Sequence, residues 1–100
     1  MNEWHDHLTE DRRLVILRLL KEAGGSANES NLEIGLNALG HRRGVTREIV
    51  RADLRWLQDA DLVTLEHFAS KVVVASLTRR GLFVANGDNE VKGVKTPSII

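Results

Sequence analysis

The stretch Leu54-Arg55-Trp56-Leu57-Gln58-Asp59-Ala60-Asp61-Leu62-Val63 changes its hydrophobic period in the middle. Up to Ala60, the apolar residues Ile49, Val50, Leu54, Leu57 and Ala60 fall on one side when plotted at the helical repeat, and Thr46 stands before them as an N-cap. The spacing predicts a helix over 46–60. From Leu62 onward the pattern is that of a strand: Leu62-Val63-Thr64-Leu65 and Val72-Val73-Val74-Ala75-Ser76-Leu77 are rich in β-branched and apolar residues and enclose Glu66 to Lys71. These two runs read as a hairpin.

Working outward, Thr9 caps a first helix with Glu10 and Asp11 in its opening turn, and Leu14, Ile16, Leu17, Leu20 and Ala23 supply its apolar positions up to Gly24-Gly25. Ser26-Ala27-Asn28-Glu29 matches a capping box, so Ser26 or Asn28 opens a second helix over about 28–39, with Leu32, Leu36 and Leu39 widened by Ile34 and Ala38 and ended at Gly40. Thr78 caps a last short helix from Arg79 to about Asn86. Beyond it, Gly, Asp, Asn, Lys and a lone Pro alternate without a period, which predicts a mobile tail over 88–100, except that Val94, Ile99 and Ile100 are apolar enough to dock on another surface.

A chain of 100 residues holds one core, and 42% hydrophobic with 28% charged residues places it among globular rather than disordered sequences. No apolar run reaches membrane-spanning length, so no membrane association is expected. The start Met1-Asn2-Glu3-Trp4-His5-Asp6-His7 lacks a secretory pattern and there is no cysteine, which makes a reducing, cytoplasmic setting the expectation. The formal net charge is zero, so affinity for nucleic acid would have to come from local charge. Such a region exists: His41 to Arg55 carries Arg42, Arg43, Arg47, Arg51 and Arg55 against Glu48 and Asp53, between acidic flanks.

The order helix, helix, helix, two strands, helix resembles winged helix-turn-helix proteins. Residues 54–63 are similar to their third helix running into the first wing strand, and Leu77-Thr78-Arg79-Arg80-Gly81 to the exit from the wing into a closing helix. Asp61 stands where many relatives have glycine. The resemblance covers residues 9–87, between an N-terminal segment 1–8 and the tail 88–100. It implies an α+β, mainly α fold: three helices, a two-stranded β-hairpin wing and a short C-terminal helix. The whole chain is also similar to small uncharacterised winged-helix proteins carried by Mu-like prophages.

What the resemblance implies for function is duplex DNA binding by a phage or prophage transcriptional regulator, with helix 46–60 in the major groove and the wing tip on the backbone. The residues expected at DNA are Arg42, Arg43, Arg47, Arg51, Arg55 and Lys71, with His67 beside Lys71 in the wing. Arg51 and Arg55 lie one turn apart and are expected to point outward together, able to reach guanine edges or phosphates. The same face also reads as solvated surface, because Glu48 can pair with Arg51 and Arg55 with Asp59. A protein-interaction module without DNA binding, such as a phage assembly or packaging accessory, is the alternative. Monomer and homodimer are both open to this reading, with a regulator favouring the homodimer because paired half-sites raise affinity and selectivity together.

Asp53 falls on the apolar side of its helix, so it is expected to be buried and paired with Arg12, Arg13, Arg47 or Arg80. Trp56 flanks the same side and is expected to pack against the wing. Trp4-His5-Asp6-His7 has metal-like spacing, but a closed zinc site needs further ligands and none is expected. There is no Gly-rich phosphate loop, nucleophile elbow or paired-carboxylate arrangement, so neither an enzyme nor a cofactor is expected.

Overall fold

The structure, a computed structural model, describes residues 3–41, 45–69 and 71–97, the first four as backbone alone. The elements are α1 (Glu3–Glu22), β1 (Ser26–Asn28), α2 (Glu29–Ala38), α3 (Arg47–Asp59), β2 (Val63–Phe68), β3 (Val72–Leu77) and α4 (Arg79–Asn86). They form a small, mainly helical α+β fold with one antiparallel sheet of order β1-β3-β2.

Caps set most of the boundaries. Asn28 accepts from the Asn31 amide at 2.8 Å, Thr46 from the Ile49 amide at 3.2 Å and Thr78 from the Gly81 amide at 2.9 Å, each satisfying a donor that the first turn of a helix leaves free. Thr9 is not a cap: α1 begins at Glu3, so the boundary expected at residue 9 lies inside the helix. Ser26 does not open α2 either. It lies in β1, opposite Ser76, with Ala27 opposite Ala75 and Asn28 opposite Val74. This third strand is absent from the sequence reading because three residues are too few to display an alternation.

The turn from α3 into β2 packs closely against the start of α4. Asp61 adopts a left-handed conformation, φ 62°, doing with a side chain what glycine does without strain. Its carbonyl accepts from the Thr78 hydroxyl at 2.6 Å, and the Leu62 carbonyl accepts from the Thr78 amide at 3.1 Å. A Cβ on Gly81 would lie 2.0 Å from that Leu62 oxygen, so only glycine fits where α4 starts. β2 and β3 then pair from Val63 opposite Leu77 to Phe68 opposite Val72.

The core lies where α1, α2 and α3 meet the inner face of the sheet. Ile16, Leu17, Leu20, Leu36, Val50, Leu54, Leu57 and Leu62 are fully buried there. The apolar stripe of α2 is narrower than expected: Leu32 and Leu36 are buried, whereas Ile34 is 65% and Leu39 61% exposed.

Two further expectations are corrected. The segment after α4 is not a loose tail as far as residue 97. Val94 is buried, Arg13 Nη1 donates to the Gly93 carbonyl at 3.0 Å, and the Lys95 amide donates to the Glu10 carbonyl at 3.2 Å. Ile99 and Ile100 lie outside the described residues. Trp56 packs against this tail and α1 rather than the wing: the Arg13 guanidinium sits 4.0 Å from its ring centroid, and Gly93, at φ 102°, lies so close that a Cβ would be 2.4 Å from the ring. Apolar residues in a segment without period gave no sign of where they would dock.

Candidate nucleic-acid interface

One face of α3 is pinned inward by a charge. Asp53 is 3% exposed and paired with Arg12 through Nε and, at 3.2 Å, Nη2, while Arg13 Nε lies 3.4 Å from Oδ1. A carboxylate out of water needs such donors, and α1 supplies both of them one residue apart. The expectation for Asp53 therefore holds, with Arg12 and Arg13 as its partners rather than Arg47 or Arg80.

The opposite face carries Arg47, Glu48, Ala52, Arg55, Gln58 and Asp59, all exposed, with Arg51 at its edge toward α2. Its arginines are not equivalent. Arg51 donates from Nε to Glu29 Oε2 at 2.7 Å and from Nη2 to Glu29 Oε1 at 2.8 Å, a two-pronged grip on a carboxylate that is only 2% exposed. Arg47 donates to Glu33 at 2.8 Å and comes within 3.7 Å of Glu29. Arg55 has no hydrogen bond or ion pair to any described residue. The acids that hold Arg47 and Arg51 thus come from α2, rather than from Glu48, three residues before Arg51.

The Arg51 hydrogen bonds hold the Glu29 carboxyl below its ordinary range, against the opposing effect of its burial, with the nearby charges of Arg51, Arg47 and His67 adding to the lowering. Arg51 is correspondingly raised, first by its hydrogen bonds to Glu29 and then by that carboxylate's charge. Glu29 escapes the sequence reading because the capping-box pattern assigns it to its own helix end. Its acidic type at that position is the only local signal, and its partner lies 22 residues on.

The hairpin stands beside this face. Leu65, His67 and Val73 meet Arg51, Leu54, Arg55 and Gln58 across an open pocket of about 230 Å³. Lys71 is exposed at the hairpin end, where Phe68 and Val72, register partners, are 51% and 43% exposed. Arg42 and Arg43, expected to serve phosphates between α2 and α3, lie outside the described residues. The structure therefore brings Arg47, Arg51 and Arg55 onto one helix face with His67 nearby, and adds Gln58 to the set.

No helix among the described residues is long and apolar enough to cross a membrane. The chain is a small, mainly helical α+β protein with an arginine-bearing helix face beside a β-hairpin, and comparison with known proteins assigns its lineage. It is 50% identical over 93 residues to "Uncharacterized protein gp26" of Escherichia phage Mu, covering 93% of this chain and 94% of that protein. It is 45% identical over 75 residues to an "Uncharacterized protein" of Haemophilus influenzae, covering 75% of this chain and 72% of that one. The chain belongs to the family of phage Mu gp26. No family model matches it. No solved structure matches it either.

Proposed function

We propose that the chain is a winged helix-turn-helix protein that binds duplex DNA, with α2 and α3 as the helix-turn-helix pair and β2–β3 as the wing, and that it serves a phage or prophage as a cytoplasmic transcriptional regulator. It acts by binding, not catalysis. The observation that carries this reading is Arg55. Among the described residues no acid pairs with this cation of the exposed α3 face, the small Ala52 lies about one turn before it, and Gln58 follows about one turn later. A helix with a small residue among long donors approaches base edges closely, and arginine and glutamine are the side chains that pair bidentately with guanine and adenine.

In this reading Arg51 and Arg47, engaged by α2, position the helix and neutralise phosphate, Lys71 reaches the backbone from the wing, and Arg42 and Arg43 serve phosphates between the helices. A homodimer would place two α3 helices on successive half-sites. The test is an unbiased selection from random duplexes at near-physiological salt. Enrichment of a motif by the wild type that is lost with Arg55→Ala supports the reading.

A protein-interaction module of phage assembly or packaging is the second reading. It is favoured by the exposed Phe68 and Val72 at the hairpin end, by the acids already facing Arg47 and Arg51, and by the zero net charge. Absence of any enriched duplex selects it.

A further inference from the structure

The pocket between α3 and the hairpin combines two chemistries that a bare DNA-contact surface does not require. Its floor is apolar: Leu54 is fully buried, Val73 is 7% exposed and Leu65 is half-buried. Its rim is polar and positive, formed by Arg51, Arg55 and His67 with the Gln58 amide. Glu29 balances Arg51, so the excess charge on the rim resides on Arg55, which no described residue neutralises.

Size narrows the occupant. At about 230 Å³ the pocket exceeds the cavity of roughly 150 Å³ that takes benzene, and falls below the range typical of drug-sized ligands. One ring with one short substituent fits. Charge narrows it further: a forked guanidinium beside an imidazole, above aliphatic side chains, complements an anion carried on a flat apolar body.

We propose that this pocket binds a small aromatic anion, a single ring bearing a carboxylate or a phosphate monoester, with the ring on Leu65 and Val73, above the buried Leu54, and the anionic group on Arg55 and His67. The site does not depend on DNA binding. Because Arg55 stands both in the pocket and on the exposed face of α3, its occupant covers part of that face.

Benzoate and phenyl phosphate are the probes, titrated into the full chain and followed by NMR of the Leu and Val methyl groups and the His67 ring at constant ionic strength. Benzyl alcohol, which has the ring without the charge, and acetate and inorganic phosphate, which have the charge without the ring, are the controls. Saturable shifts with at least one aromatic anion, confined to Leu54, Leu65, Val73 and His67 and weakened about tenfold or more by Arg55→Ala, bear the proposal out, since a charge-assisted contact of this kind is worth about that factor. Arg55 has no partner among the described residues, so its replacement is expected to leave the structure intact, which the amide spectrum verifies. No saturable shift with either aromatic anion, equal shifts with benzyl alcohol, or indifference to Arg55→Ala overturns it.

Discussion

Arg51 of α3 grips the buried carboxylate of Glu29 at the start of α2, Nε to Oε2 at 2.7 Å and Nη2 to Oε1 at 2.8 Å. The pair fixes the crossing of the two helices at the point where α3 turns its outer face to solvent. It also diverts a cation that would otherwise stand beside Arg55. Geometry and charge are thus set by one contact.

The pair makes stability depend on acid in a defined sense. The folded-state pKa of Glu29 lies below its ordinary value of 4.5, so its stabilising contribution is fully present above that pH and is lost as pH falls through the folded value. Urea unfolding of wild type and Glu29→Gln across acidic pH checks this: the wild type is the more stable at neutral pH, and the gap closes as pH falls below 4.5. A gap independent of pH contradicts it.

Asp53→Ala leaves Arg12 and Arg13 facing each other beside the core with little access to water, their side chains being 14% and 17% exposed. We expect a loss of about 3 kcal/mol, the lower end of what breaking a buried pair costs, because both guanidiniums retain some contact with solvent and Arg13 keeps Trp56 and the Gly93 carbonyl. Thermal unfolding reads this as a drop in Tm of about 12 °C or more.

Asp61→Gly relieves the left-handed backbone at φ 62° and should stabilise by about 0.5–1 kcal/mol, whereas Asp61→Val should destabilise by a similar amount or more. Gly81→Ala drives a Cβ into the Leu62 carbonyl and should cost about 2 kcal/mol or more. Equilibrium unfolding of the three variants gives the order Asp61→Gly, wild type, Asp61→Val, with Gly81→Ala well below wild type.

These positions mark how far the residues alone disclose the fold and the candidate site. Thr46, Asn28 and Thr78 are legible because a cap is a local event, and Asp53 because one carboxylate in an apolar stripe breaks a period visible within its own helix. β1 is invisible because it has no period of its own and exists only by pairing with β3. The grip of Glu29 on Arg51 depends on how two helices cross, and the docking of Val94 and Gly93 on how the chain returns to α1 and Trp56. Local pattern therefore locates the face of α3 but does not say which of its arginines are already held.

Glu33→Gln tests whether α2 restrains that face. Losing the acid removes the 2.8 Å partner of Arg47, leaving only its longer 3.7 Å approach to Glu29, and removes a charge that repels phosphate. Affinity for duplex DNA at low salt should rise, and the slope of log affinity against log salt should steepen by about one phosphate contact. Unchanged affinity and slope would mean that Arg47 does not face the backbone.

Titration of the duplex enriched in the selection, against wild type and Arg55→Ala at near-physiological salt, tests the DNA reading most directly. The account predicts a clear gap between the enriched and a random duplex for the wild type. Arg55→Ala should close that gap by about 1–3 kcal/mol while leaving the weak affinity for random duplex nearly unchanged. If no duplex is enriched, or if Arg55→Ala binds every duplex as the wild type does, α3 does not read DNA.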